Sequence, residues 1–574
     1  MGRPRHGDAR RAGEHGAVRK EWGGKKRVAL VYPNRYAAGM SNLGFLLVHA
    51  QINARADALC ERVFLVEAGG RRPVASPMGR RGMPPTEPDP GATLESGRPL
   101  SDFDVVAFSL SYENDLSYVP GILAAGGVPP FREERAASGG RHPLVLAGGF
   151  AASLNPEPCG TLADAVVVGD GERAVDAILE LGEYRPADQG FLRSLSRIRG
   201  VYVPAGYRPE YEGEAGERAA AGSLRAMIPL SGFPARVVRE SPDTRTLPPP
   251  PPVVLARDAE LGSMSLVETS RGCPRMCGFC AAAHACPEFR EFPIERVRAA
   301  VDAAWPHRTK VGLIGAAVLD WSPFRTLARE ILARGGTVSP ASVRADLVDA
   351  EIAELLSRSG HRTVSLAPEC GGAALRARVG KRVPDETFFR AAGELVRAGI
   401  VSFKLYFLVG VPGTVREEEV GAITEFLRAF RERVLADARA VGRMGTVTAV
   451  LSPFVPKPFT PLQWAAMAEE EDLRGREDDI AAFVGSVPNL RCTAERPREA
   501  LLQGYLGLSD RRVEADLRRA IGGKIPMSGA GHERALASVV HREKGADEIF
   551  PWDVVEGGIR KDALRARYEA FRKS

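Results

Sequence analysis

A chain of 574 residues, 44% apolar and 26% charged, is too long for a single core and has the make-up of a globular protein, so about three or four domains are expected. Its net charge of +6 is spread along Arg-rich stretches, and no run of about 18 apolar residues occurs, so neither a nucleic acid nor a membrane is demanded as a partner. Eight cysteines in a chain of this size exclude a disulfide framework and fit a reducing, cytoplasmic setting.

Residues 1–26 are basic and Gly-rich, and no apolar stretch with a cleavage site follows, so they read as a disordered start. From Arg27 to about residue 198, short β-rich runs alternate with helical patterns. Arg27–Pro33, Cys60–Val66, Phe103–Ser109, Pro143–Ala147 and Ala165–Val168 read as buried parallel strands. Leu43–Ala56, Val119–Gly126 and Glu172–Leu181 read as helices. The repetition predicts an α/β, doubly wound, Rossmann-like sheet with ligand sites at the carboxyl ends of its strands. Gly148-Gly149 and Gly169-Asp170-Gly171-Glu172 stand at two such ends, where they either admit a cofactor close to the backbone or simply make tight turns.

Residues 199–261 read as a connector of short strands, with the run Leu247–Pro252 as an extended proline spacer. A second series covers residues 262–463. Its strands are Leu266–Thr269, Val311–Ile314, Thr337–Pro340, Thr363–Leu366, Ser402–Val409 and Thr446–Leu451. Ile294–Trp305, Pro323–Arg334, Ala350–Ser357, Asp385–Ala398 and Val415–Arg431 are the helices between them. Six parallel strands with right-handed crossovers predict a partial (β/α)6 TIM-type barrel. Lys404 and Tyr406 are candidates to face its interior. Residues 464–574 turn helical and charged.

The chemistry concentrates in Ser270-Arg271-Gly272-Cys273-Pro274-Arg275-Met276-Cys277-Gly278-Phe279-Cys280, directly after the first barrel strand. Three thiols so close together suit an iron–sulfur cluster or zinc, and Gly272, Pro274 and Gly278 suit a loop wrapping a compact inorganic core. With iron, three ligands leave one metal corner open for chemistry. With zinc, Cys286 or His284 would complete a tetrahedron and make a non-catalytic, zinc-stapled binding module.

This CxxxCxxC pattern, with an aromatic residue before its third cysteine, resembles the radical S-adenosylmethionine (SAM) superfamily over roughly residues 262–460. The resemblance implies a 4Fe-4S cluster on Cys273, Cys277 and Cys280, with SAM chelating the open iron. One-electron reduction of the sulfonium would give a 5′-deoxyadenosyl radical that acts on an unidentified substrate, in methylation or another group transfer. It also implies an electron donor such as a flavodoxin or ferredoxin. By the same likeness Phe279 packs near the adenine or in the core. Gly315 offers a backbone contact to the SAM amino group. Ser342 and Arg344 end the third strand, and Arg344 pairs with a carboxylate of SAM or of the protein. Glu369 accepts from ribose hydroxyls or supports the site from behind, and Gly410 and Pro412 let the backbone approach the adenine or shape a turn.

A Rossmann-like domain ahead of the barrel resembles cobalamin-binding radical SAM proteins, matching their GG and GDGE stretches. Their Asp-x-His-x-x-Gly loop is replaced here by Tyr32–Gly44 without a histidine, which leaves cobalamin open and a vestigial, cobalamin-independent domain as the alternative. Methylthio transfer to RNA normally needs a second cluster, and only Cys60 and Cys159 stand in this half. A largely uncharacterised radical SAM family resembles the chain more fully: it shares YPxxYxxGMSNLG, a stretch like Leu94–Leu100, NPEP at Asn155–Pro158 and FVPKPFTPLQW at Phe454–Trp464. On that likeness Gly39, Ser41, Asn42, Glu157 and Lys457 are expected near the interface of the two domains.

Overall fold

The computed structural model describes residues 13–65, 91–139, 141–212, 223–286, 288–523 and 525–573, apart from 526, 528 and 529. In its first half, Lys26–Tyr32 (β1), Leu43–Ala54 (α1), Ala58–Phe64 (β2), Val105–Ser109 (β3), Val119–Ala125 (α2), Leu144–Gly148 (β4), Ala165–Val167 (β5), Glu172–Glu180 (α3) and Val201–Tyr202 (β6) follow in order. The strands lie in the order β2-β1-β3-β4-β5-β6, all parallel except the last pair. The run VALVY of β1 is buried residue after residue, as a parallel strand covered on both faces must be. Asn42 fixes the start of α1, its side chain accepting from the Phe45 amide at 2.9 Å. Because the chain leaves β1 toward β2 on one side and β3 lies on the other, the sheet has its switch point between β1 and β3.

The second half runs through Ser265–Glu268 (β7), Ile294–Ala304 (α4), Lys310–Ile314 (β8), Phe324–Ala333 (α5), Thr337–Pro340 (β9), Ala350–Arg358 (α6), Thr363–Glu369 (β10), Asp385–Arg397 (α7), Ser402–Val409 (β11), Arg416–Ala440 (α8) and Val447–Pro453 (β12). Glu470–Ser486 (α9), Leu490–Ala494 (β13), Pro497–Leu508 (α10) and Lys561–Lys573 (α11) complete it. Two parallel sheets result, β7-β8-β9 and β10-β11-β12-β13. Helices α7 and α8 cover the second sheet: Phe430 meets Phe403 at 5.3 Å and Phe426 meets Phe407 at 5.9 Å, edge to face. Each such pair adds about 1 kcal/mol beyond area burial. No helix of the described residues is long and apolar enough to cross a membrane.

Two boundaries differ from expectation. Residues 1–12 lie outside the described residues, but the expected disordered start does not extend over 13–26. Glu14–His15 pairs antiparallel with Leu255–Ala256, and the Glu14 carboxylate sits 2.7 Å from the buried Arg62 guanidinium, which Glu95 also holds at 2.7 Å. A guanidinium taken out of water needs those counter-charges, and this pins the segment. The expected barrel end at residue 463 also fails to mark a break in the sheet: β13, inside the otherwise helical C-terminal region, adds a fourth strand parallel to β12. The connector forms a hairpin of Tyr207–Tyr211 with Leu224–Pro229, and Val237–Val238 pairs with Val555–Glu556.

Candidate active site

The cysteine loop leaves β7 and is closed at its base by antiparallel pairing of Ser270–Arg271 with Arg290–Glu291. Gly272 has φ +75°, and a Cβ there would stand 2.4 Å from the Glu288 carbonyl, so only glycine fits this close return of the chain. Met276 holds φ +55°, a left-handed conformation uncommon for a side-chain-bearing residue. Its carbonyl accepts from the Arg567 guanidinium at 2.7 Å, and the next amide but one, Gly278, donates to the Val379 carbonyl at 2.8 Å. Cys277 is buried, and Cys273 and Cys280 are partly so. Burial pushes the Cys277 thiol up to about 11 and raises Cys280 as well, while Lys381 and Arg344 pull Cys277 back down. Without a metal these thiols stay protonated near neutrality, so loading a cation releases protons.

Of the residues expected around this loop, Arg344 and Glu369 lie within electrostatic reach of Cys277. Glu369 ends β10 with φ +66° and pairs with Lys381 at 2.8 Å. Arg344 is engaged in bidentate fashion by Asp346, at 3.1 Å through both arms, and Arg275 of the cysteine loop reaches the same carboxylate at 3.3 Å. Ser342 accepts from the Val318 amide at 3.2 Å. Phe279 is half-buried against the main core. At the end of β8, Gly315 lies against Ser270, whose Oγ would stand 2.9 Å from a Cβ.

Gly410 and Pro412 face another way. A Cβ on Gly410 would meet Leu473 of α9 at 2.6 Å, and its amide donates to Glu419 of α8 at 2.8 Å. The Pro412 carbonyl accepts from Arg378 at 2.7 Å. Both shape the turn from β11 into its helix.

Between the carboxyl ends of the first sheet and those of β7 and β8 lies a crevice of about 520 Å³, lined among others by Gly148, Gly149, Asp170, Glu172, Arg239 and Cys286. The GDGE stretch does more here than turn the chain. Arg271, two residues before Cys273, pairs with Asp170 at 3.0 Å, Glu172 at 2.6 Å and Glu268 at 2.9 Å, fastening the cysteine loop to the first domain. Arg290 adds a second bond to Asp170 at 2.8 Å. Sequence reasoning missed this clamp, because Asp170 and Glu172 come within reach of Arg271 only through the packing of the two sheets. Among the described residues, Arg239 Nε, Arg290 Nε and Ser270 Oγ are buried donors without a hydrogen-bond partner.

The zinc alternative finds its extra ligands occupied or elsewhere. His284 is bonded at both ring nitrogens, to the Cys280 carbonyl at 2.9 Å and to Arg567 at 2.8 Å, and Cys286 lines the crevice. Among the described residues no group of three His, Cys, Asp or Glu side chains, the three loop cysteines included, converges as a site for a single metal ion, so the choice between iron and zinc rests on the donor set. His49 is packed against Asn53 at 3.0 Å, and burial lowers its pKa to about 3.

Of the residues expected near the domain interface, Lys457, Glu157 and Ser41 reach beyond their own domain, while the contacts of Asn42 and Gly39 stay within the first. Lys457, after β12, pairs with Glu113, after β3, at 2.5 Å, and Gln503 of α10 donates to the same carboxylate at 2.9 Å. Glu157 is fully buried, held by Arg511 at 2.7 Å and by the Tyr202 hydroxyl. Ser41 Oγ accepts from the Leu261 amide at 2.9 Å, Asn42 donates to Ser111 at 3.0 Å, and Gly39 packs on Phe64.

Two family models match the chain: that of radical SAM proteins, N-terminal, over residues 44–204, and that of the radical SAM superfamily over residues 267–427. An uncharacterised protein of Methanocaldococcus jannaschii is 27% identical over 224 residues, 39% of this chain and 46% of that one, so the chain spans about half the length of the curated relative it matches. Among solved structures, the radical SAM methyltransferase TsrM from Kitasatospora setae, with tryptophan substrate and a SAM analog bound, is 15% identical at a TM-score of 0.47, covering 96% of this chain and 99% of that one. The cobalamin-dependent SAM radical enzyme OxsB with aqua-cobalamin bound is 14% identical at a TM-score of 0.46, covering 70% and 52%.

Proposed function

We propose that this chain, which belongs to the radical SAM superfamily by both of its matched domains, holds a 4Fe-4S cluster on Cys273, Cys277 and Cys280 and uses it to cleave SAM. The observation that carries this reading is the loop itself: three thiols directly after a first parallel strand, one buried, with Lys381 and Arg344 acting on that buried thiol. That donor set suits iron, and the nearby cations favour the thiolate form it needs. Once bound, the cluster would supply one electron, drawn from an external donor such as a flavodoxin or ferredoxin, for reductive cleavage of SAM to methionine and a 5′-deoxyadenosyl radical, the species that would take a hydrogen atom from an unidentified substrate, for methylation or another group transfer. In this reading Gly315 presents backbone at the end of β8, and Glu369, steadied by Lys381, accepts from ribose hydroxyls. Arg271 holds the loop in place.

The crevice between the domains is the corresponding candidate for a second cofactor. Its glycine-rich lining and the unpartnered buried donors Arg239 Nε and Ser270 Oγ suit a large ligand with hydrogen-bond acceptors, and cobalamin is the one the domain order suggests. No histidine is among the lining residues, so a corrin seated there takes no imidazole from this site.

Anaerobic reconstitution tests the central reading. Brown protein carrying about four irons per chain is expected, forming 5′-deoxyadenosine when reduced with dithionite in the presence of SAM. Serine at any of the three cysteines should abolish both. Iron-loaded protein that yields no 5′-deoxyadenosine would remove the radical chemistry, and colourless protein with one zinc per chain would favour the binding module.

A further inference from the structure

The sheet β10-β11-β12-β13 has two unlike faces. Phe403, Leu405, Phe407, Val447, Ala449 and Leu451 form the face buried under the helices. The opposite face bears Ser365, Lys404, Thr448 and Arg491 in one cross-strand row, and Tyr406, Val450 and Thr493 in another. A parallel sheet is ordinarily covered on both faces by apolar side chains. Here the uncovered face is polar, Ser365, Arg491 and Thr493 are exposed, and Tyr406 is 38% exposed, among the most exposed large hydrophobic side chains of the described residues. The side chains of Lys404, Tyr406 and Arg491 make no hydrogen bond or ion pair among the described residues, and Lys404 is only partly exposed.

We propose that this face is the substrate site and that it takes a molecule bearing an oxyanion, a carboxylate or a phosphate, with a flat apolar portion. The assignment rests on the radical SAM reading for what happens to that substrate, while the charge of the face stands on its own. Two strand spacings, about 10 Å, separate Lys404 from Arg491, a span two long cationic side chains close around one anionic group. The Tyr406 ring stands one row higher, placed to lie against the apolar portion. Glu495, just beyond the end of β13 on this face, is engaged by Tyr112, Glu369 stands opposite Phe407 after a register shift and pairs with Lys381, and the row of Lys404 holds no carboxylate. From Lys404 to Leu408 the strand rises by about 13 Å. The anionic group therefore anchors deep, and the reacting carbon stands at the strand ends, on the side where the cysteine loop leaves β7.

Ligand-observed NMR on the reconstituted chain with phenyl phosphate, 3-phenylpropionate and neutral 3-phenylpropanol decides the matter. The two anions should bind at least about tenfold more tightly than the alcohol, and the tighter of them identifies the headgroup. The double variant Lys404→Gln, Arg491→Gln should bring anion affinity down to that of the alcohol, Lys404→Arg should retain it, and the melting temperature of each variant controls for folding. Equal affinity for the alcohol, or unchanged anion binding by the folded double variant, would overturn the assignment. Iron content and SAM cleavage measured on the wild-type chain separate this failure from that of the radical reading, because anion binding needs neither.

Discussion

Glu369 combines two features at one position: its side chain pairs with Lys381, and its backbone sits at φ +66°. For a residue with a Cβ the left-handed region costs about 1–2 kcal/mol, and replacement by glycine returns most of that, less the entropy glycine loses on folding. Glu369→Gly and Glu369→Ala both remove the partner of Lys381, so their difference isolates the backbone. The glycine variant should be more stable by about 1 kcal/mol in urea unfolding, and both should bind SAM about tenfold more weakly, as expected for loss of a charge-assisted acceptor. Equal stability of the two variants would show that the neighbouring chain imposes no strain, and undiminished SAM affinity would remove Glu369 from the site. The left-handed turns at Met276 and Glu369 flank the same cysteine, which fits a rigid strand-end architecture that over-determines its loops.

At the level of elements, the loops after β1 and β3 meet through one unusual pair. Asn34 donates to Asp115 at 2.9 Å, yet burial pushes the Asp115 carboxyl up to about 7, with Glu113 adding to the effect. An unfolded aspartate titrates near about 3.9, so the folded chain holds this proton more tightly and stability falls as pH rises through the interval between the two values. Asp115→Asn should flatten the decline of melting temperature between about pH 4 and 7. Glu477, also raised to about 7 by burial, keeps part of the slope. Superimposable profiles for wild type and variant would refute the assignment. Elements of this kind were largely legible: Thr337–Pro340 and Ser402–Val409 coincide with expectation, because apolar runs bounded by breakers leave little freedom. Helix α8 runs on to Ala440 rather than ending at Arg431, since no glycine or proline intervenes before Gly442. Strand β13 escaped because LRCTA is short, half polar and embedded in charged helical sequence. The cysteine spacing could be read directly. The Arg271 clamp could not, since Asp170 and Arg271 meet only once two sheets have packed.

Over the whole molecule, the cysteine loop is fastened from both ends of the chain. The first domain reaches it through Asp170 and Glu172 on Arg271, and the last helix reaches it through Arg567, which spans both the Met276 carbonyl and His284. On the proposed reading, a loop that must wrap an inorganic core keeps its shape only while its neighbours hold it, and the distant C-terminal helix would then belong to the site as much as the strand that precedes it. Arg567→Ala tests this. The guanidinium is half-buried and lies at the edge of the loop, so the fold should survive, while two hydrogen bonds to the loop are lost. Cluster decay in air, followed by loss of absorbance in the visible iron–sulfur band, should accelerate about tenfold, the effect of a charge-assisted bond. Arg567→Lys, which keeps the charge but not the forked geometry, should fall between. Unchanged decay with unchanged iron content in Arg567→Ala would mean that the first domain alone holds the loop, and the C-terminal helix would then be needed only for packing.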